Sequence, residues 1–334
     1  MKKTITAIFS LGLLLLAANS FAQKSREKYE HVKEKSFTRT YPASGNSLSI
    51  ENSFGDVKFT TWDKNEVKVD VKIEVSSDNA DQAQRTFDAI EVTDKKAGSE
   101  IQFKTSINNK NKEGKEQQKG TKTSMHIDYT VSLPASMALQ VTNSFGSIEI
   151  PDYSGAANLT SKFGSLNAGH LSNPKAVSVE FGAAEIKKSA NLKGDFKFSS
   201  VTIASLSGTC DISVSFGSTK IGLENNLSGL KLENSYSAVN LRPQGSLSAT
   251  YNISTSFGSF TDRTGAGIKR TDTPQKYGPD SEKKYSGQSG SGNAKITISS
   301  SFGSVVLGEP TAEDLKKLES KDKQKNKTKN TRNI

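Results

Sequence analysis

The chain has 334 residues, of which 33% are hydrophobic and 7% aromatic, with 26 glycines and a formal charge of +10. This composition is lean for a compact α/β enzyme and is typical of a thin, repetitive β structure that buries a narrow inner file of side chains. Residues 1–23, 24–42 and 313–334 carry +2, +3 and +4 of that charge, which leaves only +1 on residues 43–312. The basicity therefore belongs to the ends and does not indicate a nucleic-acid-binding face.

The first 22 residues have the features of a signal peptide. Lys2 and Lys3 precede an apolar run at 7–18, which is too short to cross a bilayer as a helix, and Ser20 and Ala22 are the small residues expected before a cleavage site. The cut would leave Gln23 first, so the sequence predicts export without a lipid anchor. We expect the periplasm, with the cell surface or secretion as alternatives. The mature chain has no apolar run long enough for a transmembrane helix.

A Ser-Phe-Gly repeat dominates the sequence from residue 52 onward. Clear copies read NSFGDVKF at 52–59, NSFGSIEI at 143–150, VSFGSTKI at 214–221 and SSFGSVVL at 300–307. Nine aromatic residues mark the copies: Phe54, Phe145, Phe163, Phe181, Phe198, Phe216, Tyr236, Phe257 and Phe302. From Phe145 to Phe257 their spacing is 17 to 21 residues, which is typical of a solenoid turn.

The alternation within each copy predicts a strand, a corner and a second strand. Val177, Val179 and Phe181 are apolar at every second position, and after the aromatic residue the parity switches to Ala184 and Ile186. We expect the following glycine to make the bend and the aromatic residues to stack in a buried inner column. The prediction is an all-β single-stranded β-helix or β-solenoid with turns of about 18–21 residues.

Two residues before the aromatic position, asparagine recurs as Asn52, Asn143 and Asn234. These side chains could form a small polar ladder that satisfies its own hydrogen bonds between turns.

Two insertions and two flanking segments complete the predicted organisation. Residues 23–42 form a charged arm, and residues 43–312 form the solenoid, interrupted by a small α+β insert at about 60–140 and by a loop or irregular hairpin at about 262–293. The α+β insert is predicted to contain a helix capped by Asp78, and we expect it to cover the first edge of the solenoid. Residues 313–334 read as a disordered basic tail.

The sequence offers no convincing catalytic, cofactor or metal site. With the copies stacked in chain order, so that the copy at 300–307 comes last, Glu149 and Glu185 point outward and are separated by the whole turn that carries Asn167, which puts them roughly 10 Å apart. His31, His126 and His170 have no nucleophile beside them in sequence. The single cysteine, Cys210, is predicted to be a buried, inert thiol. Because the aromatic residues are expected to point inward, stacking on nucleic-acid bases is not predicted either.

The order of these parts resembles the bacterial putative-adhesin repeat family, exported β-solenoid proteins of largely unknown function. The resemblance is carried by the signal peptide, NSFGDVKF, the insert ending in VSLP at 131–134 and the SFGS-type turns, over about residues 40–308. It implies a β-helical fold and an envelope location, and no catalytic or binding residues.

Our leading hypothesis is a non-enzymatic envelope protein that offers a β surface for adhesion, to a glycan, to a protein partner or to another copy of itself. The first alternative is a periplasmic component of an envelope stress or signalling system. A polysaccharide lyase or hydrolase of the β-helix type is less favoured, because the outward carboxylates do not converge.

Overall fold

The structure, a computed structural model, describes residues 29–108, 121–274 and 280–311. Within these ranges the chain is all-β, with 23 strands joined in one sheet and a single helix. The predicted signal peptide at 1–22, the predicted tail at 313–334 and most of the loop at 108–122 lie outside the described residues.

The N-terminal elements are those of the first repeat copy and the insert. They are β1 His31–Pro42, β2 Ser47–Ser53, β3 Val57–Trp62, β4 Glu66–Ser77, α1 Ala80–Asp88, β5 Ile90–Ala97, β6 Glu100–Ile107 and β7 Thr123–Pro134. Residues 31–42, predicted to be part of the charged arm, form β1, which pairs antiparallel with β4 over its whole length. The helix is capped by Asn79, whose side chain accepts a hydrogen bond from the Gln82 N–H, and not by Asp78.

The remaining strands follow the repeat. They are β8 Ala138–Ser144, β9 Ser147–Ile150, β10 Ala157–Lys162, β11 Ser165–Leu171, β12 Pro174–Glu180, β13 Ala183–Ala190, β14 Lys193–Lys197, β15 Ser200–Ser215, β16 Ser218–Ser235, β17 Ala238–Pro243, β18 Ala249–Ser256, β19 Ser259–Asp262, β20 Lys269–Arg270, β21 Glu282–Ser289, β22 Ala294–Ser301 and β23 Ser304–Leu307.

Strands of successive copies pair in parallel and in register. Before the aromatic residue, Val141 of β8 pairs with Leu159 of β10, which pairs with Val177 of β12. After it, β9 pairs with β11 and β11 with β13 in the same way. The parallel strands therefore form two rows, one of the strands before the aromatic residues and one of the strands after them. The chain passes from the first row to the second at each aromatic residue.

The hydrophobic core lies between the two rows. Leu139 and Val141 before the corner, and Ile148 and Ile150 after it, are each at most 3% exposed, as the alternation predicts. Cys210 lies in the same core and is 2% exposed. Each copy thus contributes apolar side chains from both of its strands to one continuous core.

Antiparallel strands cover the first end of the two rows. In one row β6 pairs with β2 and then with β5, and in the other β7 pairs with β3 and then with β4. The insert therefore occupies the edge that the first repeat copy would otherwise expose to pairing with another chain.

At the other end the spatial order of the copies departs from the chain order. β22 lies between β16 and β18, and β23 lies between β17 and β19. The expected order, with the copy at 300–307 last in the stack, is therefore wrong. The copy of Phe257 is the terminal one, and β21 from the insertion at 262–293 pairs antiparallel with its strand β18. The long insertion makes this exchange of order possible, because it lets the chain come back and place its last copy between the two copies that precede it in sequence.

Candidate binding surface: an exposed aromatic ladder

The nine marker aromatics form one continuous stack, which we call the aromatic ladder. Neighbouring ring centroids are 4.6–5.1 Å apart and their planes differ by at most 8°. In spatial order the ladder is Phe54, Phe145, Phe163, Phe181, Phe198, Phe216, Tyr236, Phe302 and Phe257. The ladder is therefore about 40 Å long, because its period is the spacing of hydrogen-bonded strands.

The ladder lies on the outside of the molecule, so the prediction of a buried inner column is wrong. Eight of its nine residues are 37–59% exposed, and Phe216 is half-buried. The physical reason is the backbone. Every ladder residue has a φ between 51° and 63°, in the left-handed region. This conformation ends the strand alternation at the aromatic residue and turns its side chain outward, where parity alone would place it inside.

Backbone hydrogen bonds fix each corner to the next. The N–H of Phe163 donates to the Glu180 carbonyl at 2.9 Å, and the N–H of Phe181 donates to the Lys197 carbonyl at 3.0 Å. The same bond recurs from Phe54 to Phe302. Because each bond joins one ladder residue to the strand that precedes the next, the rings are held at a constant spacing by the main chain.

The glycine after each aromatic residue has a different role from the predicted one. Gly146, Gly164 and Gly182 do not have positive φ values, so the bend is made by the aromatic residue itself. A Cβ on Gly164 would overlap the carbonyl oxygen of Gly146, and one on Gly182 would overlap that of Gly164. Glycine is therefore required because the corners approach one another too closely for a side chain.

Serine replaces this glycine at two rungs. Ser199 accepts a hydrogen bond from the Gly182 N–H at 3.3 Å, and Ser237 accepts one from the Gly217 N–H at 3.0 Å. At these two rungs the serine hydroxyl therefore accepts a hydrogen bond from the backbone N–H of the glycine in the preceding corner.

The buried asparagines form two short polar segments, not a continuous ladder. The Asn52 amide donates to the Asn143 side-chain oxygen at 3.1 Å, and the Asn234 amide donates to Ser300 Oγ at 2.9 Å. Between them the same position is occupied by Ser161 and then by the apolar residues Val179, Phe196 and Val214. These asparagines are buried near the two ends of the stack, where their amide groups donate hydrogen bonds, while Asn234 Oδ1 has no partner among the described residues.

Short polar side chains flank the ladder on both sides. The residues immediately before the rings are Ser53, Ser144, Lys162, Glu180, Lys197, Ser215, Ser235, Ser301 and Ser256 in spatial order. Two residues after each ring, serine is again the commonest residue. The rings therefore form an apolar ridge that is bordered by rows of mostly serine hydroxyls. In the row of residues immediately before the rings, the only charged side chains are Lys162, Glu180 and Lys197.

The polar residues considered for catalysis do not form a reactive cluster with one another. Glu149 forms an ion pair with Lys58 at 3.5 Å. His126 pairs across the sheet with Glu74, and His170 lies in β11, with its backbone N–H donating to Asp152. Burial raises the pKa of the Cys210 thiol, which disfavours the thiolate.

The described residues contain neither a candidate metal-binding cluster nor a candidate membrane-spanning helix. In 29–108, 121–274 and 280–311 no three His, Cys, Asp or Glu side chains are grouped so as to hold a metal ion. In the same part of the chain no helix is both long and apolar enough to cross a membrane.

Sequence reasoning identified the ladder residues but placed them on the wrong side. One available signal was Tyr236, because a phenol at one rung suits a surface better than a dry column. Another was the parity switch, which begins directly after the aromatic residue and so indicates a break in the strand at that position.

Comparisons with known proteins give only distant structural similarities. No protein-family model matches the chain, and no curated protein does. It is similar to the structure of a putative cell adhesion protein from Clostridium sporogenes, with 11% identity, a TM-score of 0.26 and coverage of 83% of this chain and 100% of that one. It is also similar to a putative adhesin from Bacteroides fragilis, with 11% identity, a TM-score of 0.32 and coverage of 82% and 97%. TM-scores this low do not establish a shared function.

Proposed function

We propose that this chain is a non-catalytic, exported cell-envelope protein that acts by binding a partner along the aromatic ladder. Parallel pairing of successive copies at offsets of 17 to 20 residues supports a β-solenoid with turns of about 18–21 residues. Such a scaffold is rigid along its axis, so it can present a long and regular binding surface.

The observation that carries the proposal is the exposure of the ladder. An aromatic side chain has about 150–250 Å² of surface, so nine rings with roughly 45% exposed present about 800 Å² of contiguous apolar surface. The largest apolar patch on a typical monomer is about 300–600 Å², and larger patches mark interaction sites. A solvated ridge of this size would be costly unless a partner covers it.

The ring geometry favours a protein partner over a glycan. Sugar C–H groups are attracted to the electron-rich face of an aromatic ring. In the ladder each ring between Phe54 and Phe257 has a neighbour stacked on both faces, so only ring edges are available. Ring edges suit apolar protein side chains, and the same geometry prevents nucleic-acid bases from stacking between the rungs.

The predicted leader at 1–22 and the resemblance to the putative-adhesin repeat family support an envelope location for this function. The periplasm is our first expectation, and display on the cell surface is the alternative. Fractionation of cells that express the chain with and without Leu14→Arg would test export, because a charge in the apolar run should retain the protein in the cytoplasm.

Binding can be tested with two matched triple variants. The first, Phe163→Asn, Phe181→Asn and Phe198→Asn, removes three central rings while keeping a residue that tolerates positive φ. The control, Asn167→Ser, Glu185→Gln and Thr202→Asn, changes three exposed positions of the same turns, which pair in register on the neighbouring strand row. Each purified protein is immobilised and exposed to an extract of envelope proteins.

We expect the native chain and the control to retain envelope protein and the ladder variant to lose most of that binding. Protease treatment of the extract should abolish binding, whereas glycosidase treatment should leave it intact. Binding that survives loss of the three rings would contradict the proposal. So would turnover of an acidic polysaccharide that is lost when Glu149 and Glu185 are replaced.

A further inference from the structure

We propose that the partner that covers the aromatic ladder is the ladder of a second copy of this chain, in antiparallel orientation. This inference rests on the proposed function and names the partner of the same surface. It follows from the period, the area and the charges of the ladder, taken in turn.

The period of the ladder restricts what can pack along it. A partner must offer apolar groups in a straight line of about 40 Å and in step with rungs spaced 4.6–5.1 Å apart. A helix repeats every 5.4 Å and a single extended strand every two residues at about 6.6 Å, so neither stays in step over nine rungs. A second ladder has the same period by construction, so the edge of each of its rings can face the edge of a ring of the first along the whole stack.

The exposed area matches what a stable dimer needs. A standard protein interface buries about 800 Å² on each partner, and homodimer interfaces are more apolar than others. The ladder presents about that area of aromatic surface on each copy. A net charge of only +1 on residues 43–312 means that two copies do not strongly repel each other through the folded body.

The charges beside the ladder select the antiparallel orientation. In that orientation a two-fold axis perpendicular to the ladder brings the two rows that precede the rings to the same side of the interface. With the axis between the rungs of Phe181 and Phe198, Glu180 faces Lys197 of the second copy, and the reverse pair forms by symmetry. These side chains are 35% and 47% exposed, and each already forms an ion pair in its own chain, Glu180 with Lys162 at 4.0 Å and Lys197 with Asp195 at 2.8 Å, so the contact between copies would extend these pairs. A parallel arrangement would place each of them opposite the largely serine row instead.

Sedimentation of the purified chain tests self-association directly. We expect a monomer–dimer equilibrium at micromolar concentrations, with the dissociation constant raised at least about tenfold by Phe163→Asn, Phe181→Asn and Phe198→Asn. The control Asn167→Ser, Glu185→Gln and Thr202→Asn should leave it unchanged. Circular dichroism of all three proteins confirms that the variants are folded.

Short bismaleimide cross-linking tests the orientation. The proposed axis places Ser144 opposite Ser235 of the second copy, since these residues precede the second and seventh rungs. A mixture of Ser144→Cys and Ser235→Cys chains should therefore form a cross-linked dimer, while Ser144→Cys alone should not. The native Cys210 is buried and serves as the background control. Efficient cross-linking of Ser144→Cys with itself would overturn the antiparallel register.

Failure of this inference can be told apart from failure of the proposed function. A chain that stays monomeric, yet still loses envelope binding when the three rings are removed, would overturn the second copy as partner and leave ladder-dependent binding in place. A dimer that is unaffected by the ladder variant would overturn the inference by placing the interface elsewhere.

Discussion

Each aromatic residue of the ladder holds a backbone conformation that is costly on its own. A left-handed φ costs a residue with a Cβ about 1–2 kcal/mol. Among the residues other than glycine, only asparagine and aspartate adopt it readily. Stacking contributes about 0.5–1.5 kcal/mol for each ring pair, and an inner rung such as Phe181 has two neighbours, at 5.0 and 4.6 Å. The neighbours therefore offset the strain, and a lone aromatic residue at such a corner would not be stable.

Replacement of one inner ring tests this balance. We expect Phe181→Asn to lower the free energy of unfolding by about 1–2 kcal/mol, because the loss of two stacking contacts outweighs the relief of backbone strain. Phe181→Tyr should be nearly neutral, since Tyr236 occupies an equivalent rung with centroid distances of 5.0 and 4.8 Å. Urea denaturation measures both. A stabilised asparagine variant would show that stacking contributes less than the strain costs.

The glycine that follows the aromatic residue gives a second prediction at the residue scale. Gly164→Ala should destabilise the fold by at least about 3 kcal/mol or prevent folding, because the new Cβ would overlap the Gly146 carbonyl oxygen. Gly229→Ala is the matched control, since its Cβ would meet nothing closer than 3.5 Å and its φ is not positive. Thermal unfolding of both variants is the measurement, and equal melting temperatures would contradict this account of the corner.

At the scale of elements, the C-terminal copy joins two parts of the sheet that would otherwise be separate. β22 pairs with both β16 and β18, and β23 pairs with both β17 and β19. Ile296 and Ile298 of β22 are at most 1% exposed and belong to the central core. The copy around Phe257, which is last in the stack, thus depends for its position on β22 and β23, which follow it in the chain.

Truncation tests the dependence on this inserted copy. A chain that ends at residue 293 lacks β22 and β23, and we expect it to lose cooperative unfolding and to aggregate, because two rows of unpaired strand edges become exposed. A chain that ends at residue 311 keeps every strand of the described sheet and should unfold at the temperature of the full chain. A soluble, cooperatively folded product of the shorter truncation would indicate that β18 can pair directly with β16.

At the scale of the whole molecule, periodic features could be predicted from sequence and backbone-dependent features could not. The two-residue alternation placed Val177, Val179 and Ile186 correctly in the core, because burial repeats with strand geometry. The side of the ladder was missed, because one left-handed residue reverses a side chain without changing the pattern around it. The order of the last two copies was missed as well, because equivalent repeats can exchange places whenever a long connection permits it.

The central claim is that a partner covers the ladder in its native setting. Hydroxyl-radical footprinting measures this by comparing oxidation of the ladder rings in the dilute purified protein and in intact cell envelopes. Val32, which is 52% exposed and far from the ladder in sequence, provides an internal reference. We expect the rings to be reactive in the purified protein and protected in the envelope, while Val32 stays reactive in both. Rings that are as reactive in the envelope as in dilute solution would contradict the claim.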